Sequence, residues 1–226
     1  MTANPGQIAM SYSTTSLISP SIAQIISGGD TACPPLKLGI MASGDGSNFA
    51  AIAEAIAHQQ LHAQVQVLIY NNSQAKVAER AQQRGIPAQL LNHRDFSQRE
   101  DLDRQIVQVL QQFQVEWVVM AGWMRRVTQV LIDAFPDRIL NIHPSLLPSF
   151  PGIRAIEQAL NYGVKISGCT VHLVRLEVDS GPIILQAAVP VLADDTPETL
   201  HARIQVQEHK ILPQAIALIS QQPLSQ

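Results

Sequence analysis

The sequence predicts an α/β protein: a doubly wound, mostly parallel sheet with a C-terminal antiparallel extension and a final helix. Three observations carry this reading. From Leu36 onward, short apolar runs alternate with amphipathic segments, the signature of strand-helix-strand units. After Pro151 the rhythm changes to two longer alternating runs, as expected of antiparallel strands added to a sheet edge. The 226 residues, 46% of them hydrophobic, carry no internal repeat and no linker, so one generous domain accommodates them.

In chain order, residues 36–42 form the first strand, 47–58 the first helix and 65–70 the second strand. Asn72 or Ser73 caps a helix that runs to Arg84, where Gly85 stops it and Pro87 follows. Residues 88–91 make a short strand. Residues 97–113 make a long amphipathic helix with Leu102, Ile106, Val109, Leu110 and Phe113 on its buried stripe. Residues 117–121 and 138–142 read as two further buried strands. A helix over 153–161 precedes the alternating runs 167–176 and 183–191, and the final helix spans 197–220, where Pro213 should kink or divide it.

Residues 1–35 stand apart. They are rich in Ser, Thr, Ala and Ile, with no Lys or Arg before Lys37 and a single acid, Asp30. The positive start of a secretory signal and the arginines of a transit peptide are both missing. We expect a poorly ordered N-terminal extension, with residues 17–26 able to form one short helix before Gly28-Gly29, and a domain proper over 36–222.

Composition narrows the function classes. Fifteen Lys+Arg against 18 Asp+Glu give a formal charge of -3, which offers no broad basic surface for nucleic acid, while 25 glutamines supply uncharged polarity. Cys33 and Cys169 lie far apart and form no C-x-x-C pair, so structural zinc, iron-sulfur and disulfide frameworks lack ligands and a reducing cytoplasm fits best. No apolar stretch reaches the ~18 residues of a membrane span.

Three clusters carry chemistry. Ser43-Gly44-Asp45-Gly46-Ser47-Asn48 lies between a strand and a helix, where glycines let the backbone turn and the first free N–H groups of the helix favour an anion. An ordinary strand-helix turn explains such a loop equally well. A dinucleotide fingerprint would need a third glycine where Phe49 stands and an acid where Tyr70-Asn71-Asn72 stands, and a triphosphate loop would need Gly-Lys-Ser/Thr. What remains is a site sized for one phosphate, such as a phosphoribosyl group. The second cluster, Asn141-Ile-His143-Pro-Ser-Leu-Leu-Pro148-Ser-Phe-Pro151-Gly152, begins at the carboxyl end of a central strand, where open parallel sheets bind ligands. Asn141 and His143 share a face. An amide donor beside a titratable imidazole suits acyl transfer, one to stabilise an oxyanion and one to move a proton. The plainer alternative is a hydrogen-bonded core pair before a proline-stiffened loop. The third cluster, Glu177-Val-Asp179-Ser-Gly181-Pro182, is by itself a turn-forming aspartate before Gly-Pro.

Together these clusters resemble the glycinamide ribonucleotide formyltransferase family of purine biosynthesis, over residues 37–220. The most specific part is Asn141-x-His143-Pro-Ser-Leu-Leu-Pro148. It is supported by Ala121-Gly-Trp-Met-Arg125, Val178-Asp-Ser-Gly-Pro-Ile-Ile-Leu-Gln186 and Gln207-Glu-His209. Related formyl-transfer enzymes acting on methionyl-tRNA usually carry alanine after the histidine, and formyltetrahydrofolate hydrolases histidine, so Pro144 points to the ribonucleotide substrate. The tRNA enzymes also carry an added C-terminal domain and the hydrolases an added N-terminal one, for which this chain has no room.

The resemblance implies a Rossmann-type, formyltransferase-like fold and 10-formyltetrahydrofolate as co-substrate, with small-molecule substrates as partners, no metal, and a monomer or homodimer. It implies that Gly46, Ser47 and Asn48 hold the substrate phosphate and that Glu208 contacts the ribonucleotide. Met124, Arg125, Arg126 and Val127 border the folate pterin, Arg99 also serves the folate, and Asn141, His143 and Asp179 form the catalytic trio. Leu147-Pro148 would be a cis peptide. Asp45 is a departure, since a carboxylate in the loop would repel phosphate unless its side chain turns toward solvent or backbone. After Gly152 the stretch Ile-Arg-Ala-Ile lacks the histidines of some relatives, although Arg154 could assist phosphate binding. Two rival classes are a formyltetrahydrofolate hydrolase and a non-catalytic phosphometabolite-binding module.

Overall fold

The apolar run at 36–42 is buried on both faces, and the sheet is built outward from it. In the computed structural model, which describes residues 17–20 and 34–220, the elements follow as β1 (Leu17–Ser19), β2 (Leu36–Ala42), α1 (Ser47–Ala57), β3 (Ala63–Tyr70), α2 (Val77–Gln83), β4 (Ala88–Leu90), α3 (Arg99–Gln112), β5 (Trp117–Met120), α4 (Gln129–Ala134), β6 (Ile139–His143), α5 (Ala155–Tyr162), β7 (Ile166–Leu173), β8 (Ile183–Pro190) and α6 (Pro197–Ser220). The eight strands lie in the order β1-β8-β7-β6-β5-β2-β3-β4.

Strands β4, β3, β2, β5 and β6 run parallel, and β7, β8 and β1 add antiparallel pairs beyond β6. The chain winds from β2 outward to β3 and β4, then returns to β5 on the other side of β2. The carboxyl ends of β2 and β5 therefore flank the switch point, where such sheets open a crevice.

Alternate residues of each central strand serve different layers. Leu38, Ile40 and Ala42 pack with Phe49 and Ile52 of α1 and with the apolar side of α6. Met41, Val118 and Met120 face Leu102, Ile106 and Leu110 of α3 and Leu131 of α4. This two-sided burial is why the runs read as continuously apolar. Phe49 and Ile52 are fully buried, and each such side chain stabilises the fold by roughly 1.5–3 kcal/mol.

The structure differs from expectation at several places. Leu17–Ser19, expected to open a short helix, is a strand in antiparallel register with Gln186, Ala187 and Ala188 of β8. The rest of that expected helix lies outside the described residues, as do residues 221 and 222 of the expected domain. The second helix starts at Val77 rather than beside Asn72, because the Asn72 side chain accepts from Gln74 N and forms a turn instead of a helix cap. Helix α4 was not expected. Pro213 lies within one continuous α6 and does not divide it. The Leu147–Pro148 bond is cis, as expected. Among the described residues no helix is long and apolar enough to cross a membrane.

Candidate active site

The loop after β2 forms a cradle. Gly46 caps α1 at φ 72°, a left-handed conformation that favours glycine, and a Cβ there would stand 2.3 Å from Val77 Cγ2. No side chain caps the helix and its first turn holds no acid, so its leading N–H groups remain open to an anion. Ser47 Oγ accepts from Gln205 Nε2 of α6 at 2.9 Å, and Asn48 Nδ2 donates to Glu208 Oε2 at 2.9 Å. Asn48 Oδ1 is buried without a hydrogen-bond partner. The Asp45 carboxylate turns outward to the exposed Lys76, at 3.4 Å, while Arg80 Nε donates to the Asp45 carbonyl. The feared repulsion is thus directed into solvent.

Glu208 is buried, and burial pushes its carboxyl above the ordinary range against the opposing effects of Asn48 and the neighbouring histidines. Beside it, burial and then the Glu208 charge push the Cys169 thiol far up, which favours its neutral form.

On the other side of the crevice, β6 carries Asn141 and His143, and the connection from β7 to β8 brings Asp179 to them. That connection folds tightly back on β7: Leu173 N donates to the Pro182 carbonyl, and a Cβ on Gly181 would stand 1.8 Å from Leu173 O. Asp179 itself sits at φ 54°, a conformation that aspartate tolerates better than most residues. Its Oδ2 lies 3.3 Å from His143 Nδ1 and accepts the Gly152 N–H at 2.7 Å. Its Oδ1 lies 3.5 Å from Asn141 Nδ2 and 3.6 Å from His172 Nε2. Burial raises the Asp179 carboxyl, but the donors and charges around it, the Gly152 N–H and His143 among them, together hold it below the ordinary carboxylate range. His143 Nε2 lies 2.9 Å from the Phe150 carbonyl, an acceptor, so that nitrogen carries hydrogen. A proton on Nδ1 then faces a carboxylate.

A third region opens between the start of α3, residues 126–129 and residues 176–178. It is a cavity of about 590 Å³ whose lining includes Arg99, Arg126, Val127, Leu176 and Val178. Met124 is 78% exposed at the crevice edge, its N–H held by Ser43 Oγ. Arg125 is exposed and does not line the cavity. Thr128 N–H is held by the buried Asp103 at 2.5 Å, which ties α3 to this strip.

Sequence reasoning missed Gln205, His172 and Asp103. Gln205 precedes Glu208 by three residues on one helix and so shares its face, a signal that was present. Asp103 interrupts the buried stripe of α3 one turn after Arg99. His172 becomes visible only from the pairing of β6 with β7. No group of three His, Cys, Asp or Glu side chains that could hold a metal ion comes together among the described residues.

A helix N-terminus free of acidic side chains and a cluster of amide, imidazole and carboxylate thus both lie at the carboxyl ends of the parallel strands, where doubly wound sheets bind their ligands. A family model described as formyl transferase matches residues 36–216, and the chain belongs to that family. The Bacillus subtilis phosphoribosylglycinamide formyltransferase is 41% identical over 180 residues, covering 80% of this chain and 92% of that protein. The human trifunctional purine biosynthetic protein adenosine-3 is 41% identical over 184 residues, 81% of this chain, and the aligned part spans only 18% of that longer protein. Among solved structures, glycinamide ribonucleotide transformylase 1 from Symbiobacterium toebii superposes with a TM-score of 0.81 at 45% identity, covering 82% of this chain and 88% of that one.

Proposed function

We propose that the chain transfers the formyl group of 10-formyltetrahydrofolate to the amino group of glycinamide ribonucleotide, as a phosphoribosylglycinamide formyltransferase of purine biosynthesis. The observation that carries this reading is the meeting of Asn141, His143 and Asp179 beside the Gly46–Asn48 cradle. The names of the similar proteins support the ribonucleotide over water as acceptor, and so favour transfer over the hydrolase alternative.

In this reading the phosphate rests on the leading N–H groups of α1, and Glu208 and the unpartnered Asn48 Oδ1 receive donors from the ribonucleotide. The formylfolate occupies the side lined by Met124, Val127, Arg99 and Arg126, where the arginines attract its anionic tail. The unprotonated amine attacks the formyl carbon, forming a new C–N bond while the carbonyl oxygen becomes an oxyanion. Asn141 donates to that oxygen. The His143 imidazolium, its own N–H groups directed at Phe150 and Asp179, stabilises the oxyanion through its charge. The old bond to the folate nitrogen then breaks. The proton lost by the amine passes through water to that nitrogen, so one proton leaves and one arrives.

Mixing the protein with 10-formyltetrahydrofolate, with and without the ribonucleotide, tests this reading. Tetrahydrofolate should appear only when both are present. Formate release from the folate alone would establish the hydrolase, and binding without turnover would leave a metabolite-binding module.

A further inference from the structure

We propose that His172 is a positioning residue for this formyl transfer: the bare Nε2 of its ring holds one N–H of the Asn141 amide and leaves the other for the formyl oxygen. The inference rests on the proposed function and deepens it. Asn141 and His172 are direct partners in the antiparallel register of β6 and β7, so their side chains leave the sheet on one face. His172 is 2% exposed, and its Nδ1 lies 2.9 Å from the Leu173 carbonyl. A carbonyl only accepts, so Nδ1 carries the hydrogen, and in a ring with one proton Nε2 is an acceptor. That acceptor faces Asn141 Nδ2 at 3.1 Å.

The amide orientation follows from this tautomer. Turned the other way, Asn141 Oδ1 would stand against the Nε2 lone pair and close to the Asp179 carboxylate, two repulsions in place of two attractions. In the observed orientation one N–H is spent on His172. The second has only Asp179 Oδ1 at 3.5 Å, the outer limit of a hydrogen bond, and can be given to a carbonyl oxygen. A second proton on His172 would direct Nε2 toward Asp179 Oδ1, 3.6 Å away, and set N–H against N–H at Asn141. His143 and His172 thus divide the work around one carboxylate: the first pairs with it directly, the second holds the Asn141 amide beside it.

A double-mutant cycle tests the proposal, read as kcat and both KM values for His172→Phe, Asn141→Ala and the combined variant. His172→Phe should lower kcat about ten- to hundredfold, less than full loss of the donor, with both KM values within about threefold. In the Asn141→Ala background the same change should alter kcat less than about twofold, because His172 acts through Asn141. Losses that multiply would show that His172 acts independently and would overturn the proposal. His172→Gln, which restores an acceptor, should recover kcat at least about fivefold over His172→Phe, and equal loss in both would also overturn it. If the phenylalanine variant does not fold, His172→Leu takes its place in the cycle. Parental kcat in Asn141→Ala would defeat the proposed function itself. A slow Asn141→Ala beside a parental His172→Phe would defeat only the role of His172.

Discussion

Asp179 Oδ2 and His143 Nδ1 lie 3.3 Å apart, with both side chains more than nine-tenths buried, although a helix and a strand of chain separate the residues. The carboxylate is held in its charged form in the fold, and this fixes the sign of its effect on stability. A carboxyl lowered from the ordinary value of 3.8 contributes stability above that pH and loses it as pH falls through the folded value. Asp179→Asn should therefore melt below the parent at neutral pH, and the gap should close in acid. Thermal melts across that range check this, and a constant gap would contradict it.

Glu208 has the opposite sign. Its buried carboxyl is raised above 4.5, so the charged form costs stability once pH rises through the folded value. Glu208→Gln retains an acceptor for Asn48 and removes the charge. It should raise the melting temperature at neutral pH, with the gain shrinking as pH falls toward 4.5, while weakening ribonucleotide binding. A gain in stability with unchanged ribonucleotide KM would remove Glu208 from the binding site.

Gly46→Ala tests the cradle. The added methyl would meet Val77 and place alanine at a positive φ, so the loop must shift. We expect the ribonucleotide KM to rise about tenfold or more, with the formylfolate KM nearly unchanged, since a displaced helix start loses its aligned N–H donors. Steady-state titration of each substrate in turn measures both.

The arginines of the second cavity should give the reverse pattern. Arg99→Ala and Arg126→Ala are each expected to raise the formylfolate KM about three- to tenfold, in keeping with the modest value of partly exposed charges, and to leave the ribonucleotide KM alone. Arg125→Ala, outside the cavity lining, should change neither. Measuring the formylfolate KM at low and high salt would reveal the charge directly, since the effect should fade as salt rises.

Much of this was legible in the sequence because it is local. The strand at 36–42, the glycine turn after it and the paired Asn141 and His143 declare themselves through short-range pattern. Asp179 alone read as a turn residue, and its partnership with His143 depended on family resemblance until the folded-back turn at Gly181 displayed it. The strand at Leu17–Ser19 was misread because three residues pair only with the distant β8 and carry no periodicity of their own. His172 was hidden for a related reason. On an alternating strand it is one polar residue among others, and only its register opposite Asn141 gives it meaning.

The most direct test of the central claim is a crystal structure with the ribonucleotide and a folate analogue whose transferable carbon cannot leave. The account predicts the phosphate on the N–H groups of residues 46–48 and the analogue's carbonyl oxygen within hydrogen-bond distance of Asn141 Nδ2. An analogue seated away from β6, with Asn141, His143 and Asp179 touching neither ligand, would contradict it.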